Sequence, residues 1–143
     1  MLRRAPDVGV PVGDLGKDHP TPPGLAELRP DVQGYLTLTT KGVMESLAPD
    51  LPLAQNRIVA ATQGATNGSV FAAKVNNVAW KSKPSWYVVA ADDRVISSEL
   101  ERAFASTIKA KTITVNSSLV VMLSYPQPVA ELIIDAARTA PSD

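Results

Sequence analysis

The chain has no cysteine, which excludes disulfides, thiolate nucleophiles and cysteine-ligated zinc together and fits a reducing compartment such as the cytoplasm. It has no surplus of charge: 14 basic and 14 acidic residues cancel. The cationic excess that neutralises nucleic-acid phosphates is therefore missing, and no nucleic-acid partner is expected. No run approaches the roughly 20 apolar residues that span a bilayer. Met1-Leu2-Arg3-Arg4 carries charge with no apolar stretch behind it, so neither a membrane anchor nor a secretory leader is expected. Histidine occurs once, at His19 in Lys17-Asp18-His19-Pro20. Adjacent side chains rarely orient one another, so a solvated loop histidine is expected there in preference to a base held by Asp18.

What is present is one domain's worth of globular protein: 143 residues, 45% of them apolar, enough to bury a core. Residues 5 to 33 hold six prolines and four glycines, a density of breakers that reads as loop or linker. Residues 34–80 read as a helical, cap-like segment. It opens with a short strand or edge ribbon at Gly34 to Thr40, where β-formers alternate. A short helix follows over Lys41 to Ala48 with Val43, Met44 and Leu47 inward, stopped by Pro49. A second helix is capped by Asp50, carries Pro52 in its first turn, buries Leu53, Ile58 and Val59, and ends at Gly64. Ser69 to Val75 adds a helical turn that Asn76-Asn77 breaks.

Residues 81–143 carry the organising pattern. Trp86 to Ala91 is apolar on both faces, as in a strand inside a parallel sheet. Ser98 followed by Glu101 forms a capping box, and Leu100, Phe104 and Ile108 then fall on one stripe of an amphipathic helix ending near Lys109. A second strand spans Lys111 to Val115. A last helix, from about Pro128 to Arg138, buries Val129, Leu132, Ile133 and Ala136. Strand, helix, strand, helix implies a right-handed parallel βαβα unit and an α/β fold.

Several short segments of this unit, Pro84-Ser85-Trp86-Tyr87-Val88-Val89, Asp93-Arg94, Ser117-Ser118-Leu119 and Met122-Leu123-Ser124-Tyr125-Pro126, with Val129 and Ile133 beyond, resemble the carboxy-terminal half of an α/β-hydrolase fold esterase. Arg29-Pro30-Asp31, Gly34-Tyr35-Leu36 and Ala60-Ala61-Thr62-Gln63 resemble the cap of the same esterases. The resemblance, over residues 25 to 138, implies a partial α/β-hydrolase fold: a small parallel sheet with a crossover helix and a helical cap segment. It places the catalytic acid at Asp93 and the catalytic histidine at Leu119; a second family histidine reads Tyr125. Leucine takes no proton from a serine, so the general base is missing.

The family's Gly-x-Ser-x-Gly nucleophile elbow and its oxyanion-hole loop have no counterpart either. Gly64-Ala65-Thr66-Asn67-Gly68-Ser69 has the wrong spacing and reads as an inter-helix loop. Asp93 then has two roles open to it, third member of a triad or a carboxylate placed near a helix N-terminus. Without an imidazole the structural role is expected, and Asp93 is vestigial as an acid. Asp92 reads as a solvated neighbour, and Ser117 and Ser118 as loop hydroxyls bonding backbone.

Three functions follow. The first is a truncated hydrolase-family chain without turnover of its own, with a scaffold or self-association role. The second is half of a split esterase completed by another chain, and the third is a binding module for a small apolar ligand. No cofactor or metal is implied. Two strands that are apolar on both faces lack parallel neighbours, so a homo-oligomer, or a partner carrying the missing half of the fold, is expected.

Overall fold

The computed structural model describes residues 8–139, so the reading of Met1 to Arg4 lies outside the described residues. Two sheets carry the fold. The first is antiparallel and three-stranded: β1 (Leu28–Pro30), β2 (Tyr35–Leu38) and β3 (Thr66–Asn67), with β2 central. The turn between β1 and β2 forms because the Asp31 carboxylate accepts from the amides of Gln33 (2.8 Å) and Tyr35 (2.9 Å), an Asx turn. The hairpin thus runs across the boundary drawn at residue 33, and β3 lies within the stretch read as an inter-helix loop. The ribbon at Gly34 to Thr40 belongs to this small sheet and not to the parallel one.

β2 leads into α1 (Thr40–Gly42), which continues as a π-helical turn, Val43–Leu47. Thr39 caps it: its hydroxyl accepts from the Gly42 amide at 2.9 Å and donates to the Glu27 carboxylate. Val43 is fully buried, as expected, while Met44 and Leu47 are half-buried and Ser46 and Ala48 take the remaining inward places.

α2 (Leu53–Thr62) departs from expectation. Pro52, not Asp50, occupies its N-cap, and no side chain caps it. Leu53 (54% exposed) and Ile58 (61%) face out. The buried residue is polar. Asn56 donates to the carbonyls of Ala48 (2.8 Å) and Met44 (3.3 Å), tying α2 to the end of the π turn, because orphan carbonyls at a helix end need donors. After α2, the Gln63 side chain accepts from the Leu38 amide and donates to the Leu38 carbonyl, each at 2.9 Å. It lengthens the row of partners along β2.

The second sheet is the parallel pair β4 (Trp86–Ala90) and β5 (Lys111–Val115), joined by α3 (Ser98–Thr107), in register from Trp86↔Lys111 to Ala90↔Val115. The βαβ unit matches the sequence pattern, but two-sided burial does not hold. Only Val89 and Ala90 are buried in β4, and Lys111, Thr112 and Thr114 of β5 are exposed. A two-stranded sheet leaves each strand an outer edge, and among the described residues no third strand joins it.

Ser97, one residue earlier than expected, caps α3 by accepting from the Leu100 amide (3.3 Å). Glu101 does not close a capping box. It is 4% exposed, turned inward, and its Oε2 accepts from the Ala90 amide at 2.7 Å, the amide at the end of β4 where the ladder stops. α4 (Val121–Ser124) and α5 (Pro126–Thr139) complete the chain. Leu132 of α5 is buried while Ile133 is 63% exposed, against expectation. Asp135 fixes α5 to both strands. Its carboxylate accepts from Trp86 Nε1 at 2.9 Å and pairs with Lys111 Nζ at 2.7 Å.

α3 ends in a Schellman motif: the Lys109 amide donates to the Ser106 carbonyl (3.1 Å) and the Ala110 amide to the Ala105 carbonyl (2.9 Å). Lys109 sits at φ 52°, a left-handed conformation in which a Cβ is unfavourable and glycine is usual. Lys109→Gly is expected to raise stability by about 1 kcal/mol. Urea midpoints of the two proteins at fixed slope check this, and an unchanged or lower midpoint contradicts it.

Candidate functional site at the acid loop

In open α/β sheets, sites gather beyond the carboxyl ends of the strands. Here two loops lie there. The first, 91–97, carries Asp93; the second, 116–120, carries Ser117, Ser118 and Leu119. They are joined by backbone: the Ala91 amide donates to the Val115 carbonyl (2.8 Å) and the Asp92 amide to the Ser117 carbonyl (3.1 Å). The two positions picked out in the sequence, Asp93 and Leu119, therefore stand in neighbouring loops at one end of the sheet.

Asp93 is half-buried. Its Oδ1 accepts from the amides of Val95 (2.7 Å) and Ile96 (3.1 Å), so half of the carboxylate shapes the approach to α3. Its Oδ2 is buried and has no hydrogen-bond partner among the described residues. Leaving such a group unpaired costs about 1–3 kcal/mol. Burial pushes the Asp93 carboxyl above the ordinary range, against the pull of the Val95 and Ile96 amides. Beside it, burial lifts Glu101 to about 7, opposed by the Ala90 amide and aided by the charge of Asp93. Tyr87 is raised to about 12, first by burial and then by the Glu101 and Asp93 charges. No cation compensates this acid cluster in these shifts except, weakly, Arg102 acting on Glu101.

The second loop is held from the cap side. Ser118 donates its hydroxyl to Asp50 Oδ1 (2.6 Å) and its amide to Asp50 Oδ2 (2.9 Å). Ser118 is 1% exposed while Asp50 is exposed, so the bonds run from a buried donor to a carboxylate at the surface. Burial pushes Asp50 up, but hydrogen bonds from the Ser118 hydroxyl and amide, with those of Ser124 and the Asp50 backbone, together bring the carboxyl below its usual range. Asp50 was read as a helix cap; instead it spans from the cap-like segment to the loop after β5. The Ser117 hydroxyl donates to the Ser118 carbonyl (3.0 Å), a backbone contact of the kind expected. Ser118 bonds a side chain instead. Asp92 is exposed.

Leu119 is half-buried in the turn after Ser118 and offers the neighbouring acid no donor. His19 is also half-buried, in place of the solvated position expected, and makes no side-chain hydrogen bond among the described residues. Its strap nevertheless lies against the acid loop. Pro20, Thr21, Pro22 and Pro23 share a small pocket with Asp93, Ser97 and Ser98, and the Gly24 amide donates to the Arg94 carbonyl at 2.8 Å. A Cβ on Gly24 would stand 2.8 Å from that carbonyl and 3.0 Å from both Ser46 Cβ and Val95 Cγ2, so only glycine fits. The proline-rich stretch is thus packed against the acid loop. No group of three or more potential metal-ligating side chains occurs among the described residues, and no helix there is long and apolar enough to cross a membrane.

Glu101 turned inward and the Asp50–Ser118 contact both escaped sequence reasoning. The Ser98-to-Glu101 spacing fits a cap equally well, and the second contact spans 68 residues. Only the lack of any basic residue near Glu101 other than Arg102 hinted that this glutamate is not a surface ion-pair partner.

No family model matches the sequence, and no curated protein shows significant similarity to it. Solved structures do. The chain superposes on polyneuridine aldehyde esterase with a TM-score of 0.73 at 11% identity, covering 95% of this chain and 59% of that one. On a pyrethroid hydrolase the TM-score is 0.68 at 21% identity, covering 96% and 58%. The fold is part of the α/β-hydrolase fold, and the chain spans less than three-fifths of the length of these neighbours.

Two predictions follow from the loop. A carboxyl whose folded pKa exceeds its unfolded value destabilises the folded state as pH rises between the two. Stability is therefore expected to fall by on the order of 2 kcal/mol from about pH 4.5 to about pH 7 through Glu101, with Asp93 adding in the same direction. Below that window Asp50, held low, acts oppositely, so the optimum is mildly acidic. Glu101→Gln is expected to flatten the decline in urea midpoints measured from pH 4.5 to 8; an equally steep decline in the variant contradicts the assignment. Gly24→Ala is expected to cost about 1–3 kcal/mol through overpacking, and a neutral result shows the strap is not seated as described.

Proposed function

We propose that the chain is a catalytically incomplete member of the α/β-hydrolase esterases, keeping the acid position at Asp93 and having Leu119 where the general base would stand, and without ester turnover of its own. The observation that carries this reading is Asp93 Oδ2, a buried carboxylate oxygen beyond the carboxyl end of a parallel strand with no partner among the described residues. In a Ser-His-acid triad that oxygen would orient an imidazole. Here the neighbouring loop supplies leucine, and both of its serines are spent, Ser117 on backbone and Ser118 on Asp50. Acyl transfer needs a nucleophile, a base and oxyanion donors in one place, each contributing orders of magnitude.

The likeness to solved esterases supports the fold and leaves activity to experiment. Purified chain is expected to hydrolyse short-chain nitrophenyl esters no faster than a buffer blank. Turnover above the blank that Asp93→Ala abolishes overturns the reading.

The parallel pair favours a second part to the proposal. β4 and β5 each keep an outer edge, and exposed strand edges recruit further strands. Self-association across that edge gives the chain a scaffolding role, with docking onto a chain carrying the remaining strands as the alternative occupant. Size-exclusion chromatography with light scattering is expected to give a dimer or larger species. A monomer that unfolds cooperatively contradicts self-association.

A further inference from the structure

A cavity of about 370 Å³ lies between the proline-rich strap, the 95–97 end of the acid loop and the face of α3 that carries Leu100 and Phe104. Its walls come from Val12, Leu15 and Leu25 of the strap, Phe71 of the turn after β3, and Leu100 and Phe104 of α3. Three of these, Val12 (44% exposed), Leu25 (40%) and Phe71 (43%), leave much apolar surface uncovered. The strap does not fill the space it encloses. At ~30 Å³ per water the volume corresponds to about a dozen waters, within the lower range of small-molecule sites.

Charge at the rim selects the ligand's chemistry. The one cationic lining residue, Lys17, is already paired with Asp14 at 2.6 Å, so its attraction for an anion is largely cancelled. The remaining polar groups are modest. The Ser97 hydroxyl oxygen is occupied in capping α3. The His19 imidazole lines the cavity and makes no side-chain hydrogen bond among the described residues. A neutral imidazole offers one donor and one acceptor.

We propose that this cavity binds a small uncharged apolar molecule bearing one hydrogen-bonding oxygen, of the class of medium-chain alcohols, with its chain between Phe71 and the Leu100–Phe104 face and its oxygen at His19. The site borders the acid loop through Val95, Ile96 and Ser97 but includes neither Asp93 nor Leu119, so it stands or falls separately from the reading of hydrolytic incompetence.

The test uses the full chain, with Nile red as reporter and a series from 1-hexanol to 1-decanol as competitors. Displacement is expected to saturate, with each added methylene tightening binding by about three- to fourfold, the equivalent of ~0.8 kcal/mol. Gly16 lines the cavity, and a Cβ there would lie 3.8 Å from Leu100 Cδ2. Gly16→Leu therefore fills the space and is expected to lose at least about tenfold in decanol affinity. His19→Leu is expected to remove the preference for decanol over decane while decane binding persists, a readout that does not depend on Gly16→Leu folding. Absence of saturable displacement, unchanged decanol binding by a folded Gly16→Leu, an unchanged preference in His19→Leu, or tighter binding of decanoate than of decanol each overturns the proposal.

Discussion

Five residue pairs of parallel ladder, Trp86↔Lys111 to Ala90↔Val115, are what the second half of the chain depends on. A parallel pair is a weak unit on its own because its hydrogen bonds slant and its strands need a long crossover. Here the crossover helix is fastened where the ladder ends. Glu101 takes the Ala90 amide, and Asp135 on α5 takes Trp86 and Lys111 at the opposite end of the strands. The loops beyond Ala90 and Val115 then have little freedom, and their mutual backbone bonds bring Asp93 and Leu119 into adjacent loops.

Four carboxylates do most of the joining in this half, and their environments separate them. Asp135 accepts from the Lys111 ammonium and the Trp86 indole, Asp50 from the Ser118 hydroxyl and amide, and both lie below their ordinary range. Glu101 and Asp93 accept only backbone amides in buried surroundings and lie above it. The first pair hold elements together most firmly when ionised. The second pair sit where protonation relieves the desolvation of charge.

How much of this was legible in the sequence depends on distance along the chain. β5, the crossover helix and the parallel order were readable because apolar spacing records local geometry directly, and the short segments around Asp93 and Leu119 marked the hydrolase fold that the superpositions support. Burial was less readable. The apolar run Trp86 to Ala90 matches a central strand, but a strand's second face is buried only if something covers it, and that is not written in the strand itself. Leu53, Ile58 and Ile133 face outward for the same reason. Polar contacts to remote partners were not readable: Asp50 looked like a cap because its true partner, Ser118, is far along the chain, and nothing in the sequence marked Asn56 as the donor to two carbonyls of the preceding turn. The cavity under the strap was illegible, since it arises where a proline-rich segment fails to close on a helix.

The Gln63 side chain gives one hydrogen bond to Leu38 and takes another from it, standing in for a residue that β3 is too short to supply. A carboxylate of the same length could take but not give, and would set its charge against the Leu38 carbonyl. Hydrolysis of that one amide would therefore loosen the margin of the ribbon from which the cap-like segment hangs.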